Sequence, residues 1–293
     1  MIRKQNFKTR MVSVPVILAI CILAGCAVKT ANVWGDPETG LILQYRMPEN
    51  QVLKYKSSGE VIQTMDVMGQ TIDVDVDSSG AFTVKSKGQK ENNHQLTVTI
   101  DLMKLFIASP QGEINPDMST VNGKSFEMTL SPLGKELELI GADAIQYESP
   151  DGTKSISADF QDTFPDLADK PVKIGDKWPS DSTITDTYSA GESKLYFEGM
   201  NTLEGFENVN GMECVRISSD VTGTYEGKGE AQGMEVVSVG EIVGKSTWYF
   251  AYKEGIFVKM ITEGTAEGTV TVTAQNLEIP LTRKFTMGIE LVK

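Results

Sequence analysis

Few side chains in this sequence are of types that do chemistry in small numbers, and each can be weighed by its neighbours. His94, in GQKENNHQL, is the single histidine. It falls where a turn enters a strand, whereas a catalytic triad or a zinc site needs a histidine held by an orienting partner. No partner is offered, so His94 reads as an exposed turn residue. Cys214, in GMECVRI, alternates in phase with Met212. An unpaired cysteine among apolar neighbours behaves as a small hydrophobe, and a nucleophile would need an adjacent base and a lowered pKa. The run DVDVD puts Asp73, Asp75 and Asp77 on one strand face, about 7 Å apart and too far to share an ion unaided. An EF-hand loop would want glycine and glutamate where Ser78 and Val84 stand. The run therefore reads as a solvated face that also discourages edge-to-edge aggregation. GTYEGKG, from Gly223 to Gly229, is a glycine-spaced strand and not a phosphate loop. No metal, cofactor or catalytic residue follows from these motifs. The 40 acids leave one enzymatic reading open, a hydrolase working through two converging carboxylates.

Three methionines form another candidate. Met65, Met68 and Met234 fall at or beside predicted hairpin tips, where water normally favours polar residues. Either these tips fold over the sheet and fill its core, or they form an adaptable apolar rim for a lipid, an apolar ligand or a partner protein.

The elements that must position these residues are strands. From Leu41 onward the dominant period is two: Ile72, Val74 and Val76 alternate with aspartates, and Leu96, Val98 and Ile100 alternate with Thr97, Thr99 and Asp101. Val270 and Val272 alternate with threonines. Such alternation of β-branched residues predicts strands with one face buried and one wet. Turns are predicted at Met68-Gly69-Gln70, Gly88-Gln89-Lys90, Asn122-Gly123, Asn210-Gly211 and Lys253-Glu254-Gly255. The fold class is all-β, two antiparallel meanders forming a large curved sheet or open barrel, with a short helical connector. The first meander spans residues 41–140, the connector 141–192 and the second meander 193–293. Within the connector, Ile156, Phe160 and Phe164 recur every four residues and predict a short amphipathic helix ending near Pro165. KPVKIGDKWP then leads to Trp178, read as a plug for the core, with a lid over a cavity as the other reading. Residues 64–84 and 229–249 echo each other faintly, each with a Met/Gly/Gln tip followed by a valine run.

The amino terminus answers where this domain works. Residues 1–10 carry Arg3, Lys4, Lys8 and Arg10 and no acid, and a short apolar core from about Met11 to Ala24 follows. That is the layout of a secretory signal peptide, too short and too interrupted for a spanning helix of about 20 residues. The core ends in Leu23-Ala24-Gly25-Cys26, which resembles the lipobox of bacterial lipoproteins. The resemblance implies cleavage after residue 25 and attachment of a diacylglycerol to Cys26, often with N-acylation, so that palmitate-type chains anchor the protein. Alanine at position 27 implies the outer membrane if the cell has one. One acyl chain holds only marginally, but two or three on one cysteine make detachment negligible. Residues 26–40 then read as the lipidated cysteine and a flexible tether.

Charge agrees with this placement. The full chain carries −13, and removing four basic residues with the signal leaves −17. Such a surface repels phosphate backbones and excludes nucleic acid as a partner. Cys21 leaves with the signal and Cys26 carries lipid, so Cys214 has no disulfide partner and stability must come from a core.

KPVKIGDKW and the late STWYFAYKEGIFVKMITEGT resemble a family of β-rich extracytoplasmic bacterial lipoproteins of unknown function. That resemblance covers most of residues 41–293 and brings no catalytic residues. The expectation is a membrane-anchored, non-catalytic protein of the cell envelope that binds an apolar ligand or lipid. The alternatives are a structural or assembly role through an envelope protein partner and, third, the carboxylate hydrolase.

Overall fold

The period-two runs become long antiparallel strands. The computed structural model describes residues 33–150, 152–231 and 233–292. The expected signal peptide and the expected lipobox at Leu23, Ala24, Gly25 and Cys26 lie outside the described residues. In chain order the strands are β1 (Gly35–Asp36), β2 (Gly40–Leu41), β3 (Val52–Val67), β4 (Gln70–Lys90), β5 (Asn93–Ser109), β6 (Gly112–Ile114), β7 (Ser125–Leu130) and β8 (Glu136–Ile140). They continue as β9 (Gln146–Ser149), β10 (Gly152–Ser155), β11 (Lys177–Tyr188), β12 (Gly191–Val209), β13 (Met212–Ala231), β14 (Met234–Ala251), β15 (Ile256–Val272) and β16 (Leu277–Val292).

Beyond the small β1–β2 pair, fourteen strands form one sheet, with the order β8-β7-β5-β4-β3-β16-β15-β14-β13-β12-β11-β10-β9 and β6 beside β5. The two meanders are joined where β3 pairs with β16, Lys54 opposite Val292 and Met65 opposite Leu281. The two edges of this sheet, β8 and β9, are consecutive in sequence and linked only by residues 141–145. Laid flat, strands about 4.8 Å apart would hold those edges roughly 60 Å from each other. A link this short spans at most about 20 Å. The sheet must therefore curl, and it forms a half-barrel with a seam between its edges.

The lower part of the concave face is packed by the chain itself. Tyr55 of β3 stacks between Phe82 of β4 at 5.3 Å and Phe257 of β15 at 5.8 Å. Phe164 from the connector meets Tyr45, Tyr55 and Phe257 edge-on. Leu41, Leu43, Tyr45 and Met47 cover this core from one side, and Ile156, Phe160, Leu167 and Trp178 from another. Trp178 is buried, meets Trp248 at a right angle with ring centres 6.3 Å apart, and donates its indole N–H to the Asp166 carbonyl at 3.0 Å. It plugs the core. The described chain starts at Val33, and Trp34 already packs against this core, ahead of Leu41, where the sequence places the first meander. Residues 32–293 form one compact unit that holds the whole sheet and its cores.

Three local expectations are corrected. In place of an amphipathic α-helix there is a single 3-10 turn, Ala158–Phe160. Ile156, Phe160 and Phe164 are all buried, but Asp162 at φ 67° turns the chain out of any helical path between the last two. The turn expected at Gly88-Gln89-Lys90 sits at Glu91-Asn92, both with positive φ, while Gly88 (φ 98°) occupies a bulge of β4 against β5. That shift places His94 inside β5, in phase with buried Leu96, Val98 and Ile100, so it is a buried residue and not an exposed turn residue.

Candidate functional site

Above the filled core lies a row of polar residues, Asn201, Ser219, Ser246 and Thr262, paired across β12 to β15. The Trp248 indole N–H donates to Ser219 at 2.9 Å, Ser219 donates to the Asn201 side-chain oxygen at 2.5 Å, and Ser246 is bonded to Thr262. This row separates the lower core from a second apolar cluster in the upper half of the sheet. Tyr225, Ile242, Ala266 and Leu281 form its floor, with Met65, Leu195, Phe197, Val270 and Phe285 half-buried around them. Every one of these residues belongs to a strand, and among the described residues no apolar side chain of a loop or of the connector joins the cluster.

Glycine shapes this groove. Gly223, Gly240, Gly244, Gly264 and Gly268 share the concave face by register. The Tyr225 ring lies flat across β14 and β15, where a Cβ at Gly240 would strike the ring and one at Gly268 would strike the hydroxyl. Phe285 covers Gly264 in the same way, and Phe197 leans on Gly223. Bare backbone under an aromatic ring lets the sheet bend tightly.

The register also sorts charge. In the upper stretches of β3, β4 and β12 to β16, every Asp and Glu occupies a convex position, from Asp73 and Asp75 to Glu241 and Glu267. One charged side chain in those stretches is on the concave face: Arg283, opposite Ala266 and Gln63. Its guanidinium carbon stands 5.4 Å over the Tyr225 ring, and its Nε–H donates to Gln63 Oε1 at 2.8 Å. Beneath it the Tyr225 hydroxyl is buried with no hydrogen-bond partner, although the residue is only 6% exposed.

The seam gathers most of the remaining unusual chemistry. Lys135, just before β8, pairs with Asp166 at 2.8 Å and donates to the Asp181 carbonyl on β11 at 2.5 Å. It stands beside an open groove of about 460 Å³ lined by Glu136, Leu139, Gln161, Asp162 and Asp181 among others. Glu136 accepts a 2.8 Å hydrogen bond from the Phe164 backbone N–H, and burial lifts its carboxyl to about 8 against that bond. Asp162 accepts from Ser182 at 3.0 Å and is raised to about 6, again mainly by the surrounding protein. Because Asp162 is exposed to water, its shift matters less than that of the half-buried Glu136. Carboxylates therefore do converge in one cleft, and three of them are tied to partners of their own chain across the seam. Among the described residues no three His, Cys, Asp or Glu side chains are arranged to hold a metal ion.

The candidates from sequence scatter. His94 places Nε2 3.0 Å from the Tyr45 carbonyl, so Nε2 carries the proton; burial lowers its pKa and keeps it neutral. Cys214 is buried, and burial pushes its thiol up to about 11. Asp73, Asp75 and Asp77 are exposed, with Asp73 accepting from Thr64 at 2.7 Å. β4 is an inner strand, but above Asp75 it runs past its pairing with β5, so Asp73 lies on a locally free edge. Met68 stands 80% exposed at the β3–β4 tip. Met65 borders the upper cluster from the same hairpin, and Met234 opens β14 at the same end with Gln275 bonded to its sulfur at 3.2 Å. Arg283, Tyr225, Lys135 and Glu136 are the residues that sequence reading missed.

No known protein family's sequence profile matches this chain. No curated protein matches it in sequence. Among solved structures it is similar to the hypothetical lipoprotein YmcC from Escherichia coli, at 12% identity and a TM-score of 0.28 over 78% of this chain and 82% of that one. It is similar to OccK11 (OpdR) from Pseudomonas aeruginosa at 7% identity and a TM-score of 0.20, over 86% of this chain and all of that one. A DUF1329 family protein from Desulfovibrio piger shares 11% identity with a TM-score of 0.16, over 81% and 84% of the two chains.

Proposed function

We propose that this chain is a lipid-anchored, extracytoplasmic binding module of the cell envelope that holds an apolar ligand in the upper half of its curled sheet. The observation that carries the reading is the contrast between the two halves of one concave face. The lower half is filled by the protein's own segments, while in the upper half the half-buried Leu195, Phe197, Phe285 and Met65 have no apolar side chain of the connector among them. Monomeric proteins rarely leave a contiguous apolar patch without a use for it. Met68 and Met234 at the same end suit an adaptable apolar rim, one of the two readings that the sequence leaves open. The lipobox at Cys26 and the strongly negative charge support an envelope location in which acyl chains do the anchoring.

The test is lipid extraction of mildly purified protein followed by mass spectrometry. A recurring lipid in near-stoichiometric amount is expected. Recovery of empty protein across several detergents would overturn the reading. If whole-cell crosslinking then trapped one reproducible partner, the assembly role would replace it.

A further inference from the structure

Resting on that reading, the charge sorting of the upper groove specifies what kind of apolar ligand fits. A purely hydrocarbon ligand needs no charge, yet β16 places Arg283 between Leu281 and Phe285 on the concave face. Orienting it inward partly desolvates the guanidinium. Among the described residues Arg283 forms no ion pair; its protein partners are the Gln63 oxygen and the Tyr225 ring. The strands that carry the cluster offer it no carboxylate, because every acid in the upper stretches of β3, β4 and β12 to β16 faces outward, and the inward carboxylate of the neighbouring β11, Asp186, is paired with Lys154 at 3.5 Å. A second donor waits beside it: the Tyr225 hydroxyl, buried with no acceptor within reach. An orphaned buried donor costs stability and calls for an explanation. Two donors and no acceptor of negative charge, set in an apolar trough, are complementary to one anionic head on a hydrocarbon chain.

We infer that the upper groove takes a monoanionic amphiphile of the fatty-acid class, with its carboxylate on Arg283 and the Tyr225 hydroxyl. The planar guanidinium fork matches a carboxylate's two oxygens. One cation neutralises one charge, so a dianionic phosphate monoester would remain half unpaired. The chain lies along Leu195, Phe197, Phe285 and Met65, and the Arg283 side chain turns off the tyrosine ring to meet the head group, which exposes the hydroxyl as the second donor.

The experiment is fluorescence displacement of cis-parinaric acid from delipidated residues 32–293, with oleate and oleyl alcohol as matched competitors. Oleate is expected to displace the probe at about tenfold lower concentration than the alcohol. That ratio falls to about one in Arg283→Gln. Arg283→Lys keeps the charge without the fork and retains an intermediate ratio, so it decides the matter should the glutamine variant fail to fold. Equal displacement by oleate and oleyl alcohol in the parent protein would overturn the head-group assignment and leave the apolar groove standing. Failure of the probe to bind at all would overturn the groove reading with it.

Discussion

Lys135 and Asp166 form a 2.8 Å ion pair that ties the approach to edge strand β8 to the connector, while the same ammonium reaches the Asp181 carbonyl on β11. One side chain thus bridges three segments that the sheet's hydrogen-bond ladder does not join. Asp166 keeps 12% of its side chain exposed and Lys135 keeps 47%, so water screens the pair only in part. Lys135→Ala is expected to lower stability by about 1 kcal/mol, in the usual range for a partly screened pair. Hydrogen exchange should localise the loss to residues 136–140 and 181–183. Unchanged protection there would show that the seam closes without the latch.

Glu136 makes the seam sensitive to pH. Its folded carboxyl sits at about 8 against an ordinary 4.5, so the folded state binds this proton more tightly than the unfolded chain does. Stability from this group is complete below about pH 4.5 and declines as pH rises toward 8. Glu136→Gln removes the decline. Chemical denaturation at pH 8.5 is expected to find the variant more stable by roughly 2–4 kcal/mol, with the gap closing near pH 5. A constant gap across that range would refute the assignment.

Tyr225→Phe deletes a hydroxyl that has no partner. Stability should therefore stay level or rise by up to about 1 kcal/mol, while affinity for oleate falls and that for oleyl alcohol does not. A tyrosine kept only for packing would leave both affinities unchanged.

Gly240→Val places a branched side chain where the Tyr225 ring and the Glu267 carbonyl already lie. Overpacking of this kind costs about 1–3 kcal/mol, and here backbone is one of the colliding groups. Thermal melts should report a loss at the upper end of that range. Wild-type stability would mean the ring does not lie over β14.

Cys214 is 0% exposed with its thiol pushed up to about 11. Ellman's reagent at pH 8 should leave it unlabelled in the folded protein and label it fully in denaturant. Rapid labelling of the folded chain would make it a reactive thiol after all.

The strands, the hairpins at Met68-Gly69 and Asn210-Gly211, and the plugging role of Trp178 were legible because each is written in local pattern. His94 departs from the turn pattern although its parity with Leu96, Val98 and Ile100 marks it as inward; the bulge at Gly88 displaces the turn toward Glu91-Asn92 and hides that parity. The groove had a local signal too. Gly223/Gly227, Gly240/Gly244 and Gly264/Gly268 repeat at intervals of four, and an even interval keeps each pair on one face of its strand. Arg283 shares parity with Leu281 and Phe285 and could have been assigned inward on that ground. The seam was not legible, since Lys135, Asp166 and Asp181 meet where the two edges of one curled sheet approach each other, a closure that no local pattern encodes.

That central pairing of β3 has a mechanical side. A pull on the amino-terminal side of the domain reaches the main sheet at the lower end of β3, a strand gripped along its length by β4 on one flank and by β16 on the other. Load along the strand axis meets all those bonds in shear at once instead of peeling them singly. On the proposed lipid anchoring, the strand nearest the mooring would thereby be among the hardest to strip away.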